Sequence, residues 1–149
     1  MTHQTAAGVT LGISLAAPAS HTEVGFDALT LVPVGEITNI GEFGKEFALV
    51  THNPLASRGT KKGKGSFNNG SLSPALALDP SDAGQTAMKT ALESDDPAYF
   101  AITLQDGTIF YLVGLLMSFK PNIGGVDDVV TASTSIELTP DAILKKAAP

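Results

Sequence analysis

The sequence predicts an α+β domain that is mainly β, an antiparallel β-sandwich or part-barrel with one flanking α-helix. Three observations predict it. Short runs of alternating hydrophobicity recur along the chain, fifteen glycines and nine prolines punctuate them, and a single segment has convincing helical spacing. At 149 residues, 43% hydrophobic and 16% charged, the chain has the length of one domain and enough apolar content to bury a core without staples.

The elements follow in order. Over residues 9–15, Val9, Leu11, Ile13 and Leu15 alternate with Thr10, Gly12 and Ser14, the period of two of a half-buried strand, and Pro18 lies beyond its end. Residues 29–34 form a second run that continues past Gly35 into residues 36–40, a turn at 41–44, and a further run at 46–51. Residues 53–70 differ. Pro54, Gly59, Gly63, Gly65 and Gly70 break the periodicity, and Arg58, Lys61, Lys62 and Lys64 place four of the nine basic residues within seven positions. A long, mobile, basic inter-strand loop is expected there, and loops of that length in compact domains are usually functional or disordered. Leu72, Pro74, Leu76 and Leu78 alternate with small residues and predict a strand leaving the loop.

Asp79-Pro80 reads as a helix start, with an aspartate to accept an orphan amide and a proline at the first helical position. Ala83, Ala87, Met88, Ala91 and Leu92 then fall on one stripe, and Pro97 closes a helix of about four turns. Two strand patterns, 99–105 and 108–119, flank Asp106-Gly107, a dipeptide suited to a type I′ hairpin turn. The second arm is apolar on both sides. Phe110, Leu112 and Leu116 face one way; Ile109, Tyr111, Val113, Leu115, Met117 and Phe119 face the other. Such an arm lies beneath the helix or is covered by another subunit. The last strand, 129–138, turns Thr131, Ser133, Ser135 and Glu137 to a polar face and Val130, Ala132, Thr134, Ile136 and Leu138 inward.

Composition narrows the chemistry. Fifteen acidic against nine basic residues give a net charge of −6, which argues against a protein that grips nucleic acid by its phosphates. There is no cysteine for a disulfide, a zinc knuckle or a thiol nucleophile, and His3, His21 and His52 share no paired spacing. Gly59-Thr60-Lys61-Lys62-Gly63-Lys64-Gly65 departs from a phosphate-binding loop: three residues instead of four separate Gly59 from Gly63, and Gly65 stands where a hydroxyl residue belongs. Asp95-Asp96 and Asp127-Asp128 lack the further ligands a divalent cation needs at loop spacing and read as cap and turn residues. No Gly-x-Ser-x-Gly elbow or His-Glu-x-x-His helix is present, so neither catalysis nor a cofactor is expected. The longest apolar run, 109–117, is strand-sized, and the first basic residue is Lys45, so neither a membrane helix nor a secretory signal is expected. What remains is an acidic body with one basic segment, a distribution suited to binding copies of itself head to tail.

The order of parts, a β-rich first half, a glycine- and lysine-rich loop, a strand, an Asp-Pro-led helix, an Asp-Gly hairpin and a final strand, resembles the tail tube (major tail) proteins of long-tailed bacteriophages, siphophage type. The closing strand, Val129-Val-Thr-Ala-Ser-Thr-Ser-Ile-Glu-Leu-Thr139, follows the loop Ile123-Gly-Gly-Val-Asp-Asp128 and carries much of the likeness. The resemblance implies a non-enzymatic virion subunit that forms six-fold rings, stacked into a hollow tube through which DNA passes without specific binding, and that is assembled in the host cytoplasm. It implies tail-tip initiator, tape measure and terminator proteins as further partners, and no membrane. Carried onto this chain, it makes Arg58, Lys61, Lys62 and Lys64 contacts between rings, and Phe110, Leu112 and Leu116 of the two-faced strand are expected between subunits. Thr131, Ser133, Ser135 and Glu137, with Glu36, Glu42 and Glu46, are the expected lining of an acidic lumen, which would repel the duplex from the wall. The inner tube of type VI secretion shares the implied fold and remains an alternative, as does a β-sandwich adhesion or ligand-binding module. The last would want aromatic residues on loops, and only 6% of the chain is aromatic, with no tryptophan.

Overall fold

The computed structural model describes residues 3–147. Eleven strands and two helices follow one another as β1 (Thr10–Ser14), α1 (Glu23–Asp27), β2 (Val32–Val34), β3 (Ile37–Asn39), β4 (Glu46–His52), β5 (Lys61–Asn68), β6 (Ser71–Leu72), β7 (Ala75–Ala77), α2 (Ala83–Glu93), β8 (Ala98–Thr103), β9 (Ile109–Asn122), β10 (Thr131–Leu138) and β11 (Leu144–Lys146). The mainly antiparallel β architecture with one full-length flanking helix is as predicted.

Nine strands make one antiparallel sheet in the order β2-β1-β8-β9-β10-β7-β3, with β11 added to β9 and β6 to β10. Its two edge strands are consecutive in sequence. Only Gly35 and Glu36 separate β2 from β3, so the sheet curls until its rims meet at one bend, yet β2 and β3 form no ladder with each other and the part-barrel stays open. Glu36 takes φ of +60° to make this bend, a left-handed conformation that costs a non-glycine residue about 1–2 kcal/mol. The start of α2 holds it in place. Asp82 caps the helix by accepting the Gln85 amide at 2.9 Å and also accepts the Gly35 amide at 3.0 Å. The Gln85 side chain, fully buried, donates to Gly35 O and Ala77 O and accepts from the Asp79 amide, so each of its polar atoms is satisfied. The helix therefore begins at Ala83 with Asp82 as its cap, three residues later than Asp79-Pro80 suggested, and runs about three turns.

Leu11, Ile13, Leu72, Leu76, Met88, Phe100, Leu112 and Ile136 fill the space between the curled sheet and α2. A second, smaller cluster lies on the other side of β8 and β9, where Phe26 of α1 packs on Tyr111, Val113 and Ala101. Phe26 stacks on Tyr111 at 5.0 Å between ring centres. The Tyr111 hydroxyl donates to Asp27 at 2.5 Å, and Lys146 binds the same carboxylate at 3.0 Å. Burial and the Asp27 charge push the Tyr111 phenol well above its usual pKa, while the hydrogen bonds from Tyr111 and Lys146 pull the Asp27 carboxyl down. The short helix α1, which has too few residues to show helical spacing, thus covers the second face of the apolar strand.

The turn between β8 and β9 also differs from expectation. Gly107 has φ of +97° but Asp106 does not share a positive φ, and Gly107 N donates to Leu104 O, so the connection is a type I turn closed by a left-handed glycine rather than a type I′ pair. Within β9 a bulge falls beside Met117, between the pairs Ser135↔Ser118 and Ile136↔Leu116. It shifts the alternation by one residue. Phe119 therefore turns into the main core with Leu116, not to the side of Tyr111 and Val113.

Candidate functional site

The part of the sheet formed by β3, β7, β10 and the second half of β9 presents a smooth outer face. Thr131, Ser133, Ser135 and Glu137 project from β10 away from the core, as the alternation predicted, while Ala132, Thr134, Ile136 and Leu138 point inward. Ala77 and Ala75 stand opposite Thr131 and Ser133 on β7, and Lys120 and Leu115 stand opposite Ser133 and Glu137 on β9. The face is small, hydroxylated and sparsely charged. Glu36, Glu42 and Glu46 are not carried by β10: Glu36 sits in the bend with its carbonyl accepting the Ala77 amide, and Glu42 and Glu46 lie in and just after the segment leading to β4.

Two backbone edges flank this face. β3 pairs with β7 on one side only, and β9 beyond Gly114 pairs with β10 on one side only, because β8 ends its ladder at Ala98↔Gly114. Unpaired edges of this kind are templates for another strand.

The segment 53–70 is not one long loop. Its second half is strand β5, which pairs with β4 in a two-stranded hairpin of its own, His52↔Lys61 to Glu46↔Asn68, with a bulge between Phe47 and Leu49. The glycines that hid the strand from its pattern have a local use: a Cβ at Gly65 would come within 2.8 Å of the Val50 side chain across the pair. Lys61, Lys62 and Lys64 therefore stand on a strand, and Arg58 in the connection at its tip. One face of the hairpin carries Phe47, Leu49, Thr51, Lys62, Lys64 and Phe67, with Lys64 lying 4.9 Å over the Phe47 ring and Lys45 4.4 Å over that of Phe67. Nearly the whole arm is solvent-exposed, Leu49 at 67% and Leu55 fully. Its root is fixed: Gly44 N donates to Asn69 O, and the buried Asn69 amide donates to Thr139 O and Asp141 O, both at 2.7 Å.

The strand residues expected between subunits are placed otherwise. Leu112 and Leu116 are 1% and 6% exposed within the chain's own core, where α2 covers them, and Phe110 packs against Phe43. Leu112 and Leu116 are thus enclosed, while Phe110 is half-buried. The apolar residues that β9 does expose are Leu115 and Met117, beyond the reach of α1. Among the described residues there is no cluster of three metal-ligating side chains and no helix long and apolar enough to cross a membrane.

No protein-family model matches the chain, and no characterised protein matches it by sequence. Solved structures match it over nearly its whole length. A chain of the anti-feeding prophage baseplate superposes with a TM-score of 0.74 at 9% identity, covering 99% of this chain and 98% of the other. The tail of a gene transfer agent particle, with C6 symmetry, gives 0.70 at 13% identity over 97% and 100%. The SPP1 tail tube protein gives 0.65 at 17% identity over 92% and 75%.

The chain has the tail tube fold. It is shared by components of phage-type tails and of contractile injection systems whose sequences are 9–17% identical to this one. Within the tail tube fold, the four-stranded outer face, its two open edges and the exposed arm are the surfaces this chain leaves unsatisfied.

Proposed function

We propose that the chain is a structural subunit of a bacteriophage tail tube, one that joins copies of itself into hexameric rings stacked around a lumen through which DNA passes. The observation that carries the reading is the arm. An isolated two-stranded hairpin is marginal in water, and this one extends from the body with Phe47, Leu49, Val50, Leu55 and Phe67 exposed. A second copy supplies the missing cover, and the acidic body complements Arg58, Lys61, Lys62 and Lys64.

The open edge of β3 in one copy and that of β9 in the next would continue the sheet around a ring and remove both edges. The lumen would then be the face of Thr131, Ser133, Ser135 and Glu137 with Ala75 and Ala77. A wall with few cations offers the phosphate backbone no fixed partners, so a duplex slides instead of binding. The six-fold symmetry of the anti-feeding prophage and gene transfer agent assemblies supports the ring size. Location in the virion tail, assembly in the host cytoplasm, and contacts with tape measure, initiator and terminator proteins belong to the same proposal, as does the absence of catalysis.

Negative-stain electron microscopy of the concentrated protein tests it, with annuli or hollow rods expected and a strictly monomeric particle at all concentrations refuting it. The likeness to contractile injection chains favours a second reading, an inner-tube subunit of such a system. A sheath component surrounding the tube in purified particles would select that one.

A further inference from the structure

At the end of the body where β8 stops and the arm begins, an open cleft of about 440 Å³ is floored by Val9, Ile37, Ile40, Phe43, Ile102 and Leu104. None of the residues lining it is charged. The charged residues adjoining it are chiefly acidic. Glu36 precedes Ile37, Glu42 lies between Gly41 and Phe43 of the wall, and the Asp106 amide donates to Oε1 of Gln4, another wall residue, at 3.2 Å. Lys45, two residues past Phe43, has its ammonium 4.4 Å over the Phe67 ring of the arm. Lys145 and Lys146 belong to β11, across β9 from Ile102, and Lys146 is held by Asp27. A group that is apolar and basic suits this cleft; an acidic one does not.

The tip of the arm has that character. Residues 47–78 contain Arg58, Lys61, Lys62 and Lys64 and no acidic residue at all. Past the pair His52↔Lys61, Ser57 N donates to Pro54 O at 3.3 Å and Gly59 N to Ser57 Oγ at 3.2 Å, so the tip is an ordered turn. It holds Leu55 completely in water, with Arg58 in the same turn and Lys61 at its base. The tip does not serve its own chain. Its hairpin extends about 20 Å from a root three residues past Phe43, β4 and β5 pair only with each other, and no arm residue lines the cleft. The other exposed aliphatic turn, around Val126, carries Asp127 and Asp128 and would set acid against acid.

We propose that the arm tip of one copy seats in the cleft of a neighbouring copy, Leu55 entering among Ile40, Phe43 and Leu104 while Arg58 and Lys61 meet Glu42 and Asp106. The contact rests on the self-assembly reading above and names the surface that receives the arm. It is heterologous, each copy giving one tip and receiving one.

The absence of cysteine from the chain makes a direct test simple. In the double variant Leu55→Cys/Asn39→Cys, with one thiol on the tip and one on the cleft wall, oxidation of the assembled protein should give a ladder of multimers on a non-reducing gel. Neither single variant should. Leu55→Asp should keep the circular dichroism of the wild type while raising the protein concentration needed for assembly by about tenfold, the loss expected of a buried anchor. Glu42→Lys takes the net charge from −6 to −4, so weaker mutual repulsion alone would ease assembly. The contact requires the opposite: a threshold raised by about threefold, and lowered again when Arg58→Glu is added. Assembly of Leu55→Asp at the wild-type concentration overturns the contact, as does easier assembly of Glu42→Lys. Dimers from Leu55→Cys alone, which would set tip against tip, also overturn it, and so does a ladder from Val126→Cys/Asn39→Cys in place of the first pair. In all of these the wild type still assembles and the contact fails alone. If the wild type forms neither annuli nor rods, the self-assembly reading fails and the contact fails with it.

Discussion

Reversing the charge of the arm separates assembly from folding more cleanly than any change to the body. In Lys61→Glu/Lys62→Glu/Lys64→Glu, none of the three side chains loses an ion pair, since the described residues contain only the Lys146–Asp27 bridge. Surface charges of this kind contribute a few tenths of a kcal/mol each. Lys64 also gives up its position 4.9 Å over the Phe47 ring, worth about 0.5–1 kcal/mol at an exposed site. The sum is roughly 1 kcal/mol, and for a chain of this size that lowers the melting temperature by about 2–4 °C. Each reversal removes one positive and adds one negative charge, taking the net charge from −6 to −12. Copies that attracted one another through the arm then repel. Calorimetry and electron microscopy on the same preparation read both effects: a nearly unchanged melting transition, and no rods. The wild type should lose rods progressively between 0.1 and 1 M salt as screening shortens to about 3 Å, while the variant gains none. A fall in melting temperature beyond 10 °C, or rods indistinguishable from wild type, would refute the reasoning: the first would mean the arm packs on its own body, the second that its cations bind nothing.

Four further outcomes follow from the body. Gln85→Met removes a buried side chain that serves Gly35 O, Ala77 O and the Asp79 amide, and should cost about 2–4 kcal/mol in denaturant unfolding by leaving those groups unpaired. Gly84→Ala places a Cβ 2.3 Å from Pro33 O and 2.5 Å from Val34 Cα, and should destabilise by about 1–3 kcal/mol because backbone must move to admit it. Glu36→Gly relieves the left-handed bend and should stabilise by up to about 1 kcal/mol in the same assay. The Tyr111–Asp27 pair sets a pH window. The phenol's pKa is raised on folding, so its contribution is whole below about pH 10 and is lost as pH rises further, whereas the lowered carboxyl of Asp27 contributes above about pH 4 and loses that as acid protonates it. Ultraviolet titration should show one of the two tyrosines ionising well above pH 10, and Asp27→Asn should bring it down.

The residues that speak through periodicity were legible. The alternation of β10 identified both its faces, and the apolar runs of β1, β8 and β9 identified the core strands, because a half-buried strand must show its burial every second residue. Other features depend on contacts between distant residues. β5 reads as loop because its glycines and lysines answer to Val50 across the hairpin and to no core, and the start of α2 moved to Asp82 because the Gly35 bend fixes that carboxylate. A period of two puts Phe119 on the wrong side because one bulged residue changes the count, and the second face of β9 looks uncovered because its cover, α1, is a five-residue helix with no pattern to see. Of the surfaces proposed for assembly, the basic cluster and the hydroxyl face are visible in the sequence; that the cluster stands on a paired strand of an exposed arm is not, since only β4 across the hairpin reveals it.

Gly114, followed closely by the bulge at Met117, divides β9 into two territories. Up to Gly114 the strand has α2 on one face and α1 on the other; past it Leu115 and Met117 come to the surface, and the same strand has a free edge and an open outer face. Excising Met117 would close the bulge into a regular ladder, with Ser118 still opposite Ser135 on the outer face and Phe119 still opposite Thr134 in the core beneath Lys89. The supernumerary residue thus adds one exposed thioether to the outer face without disturbing the interior on either side of it.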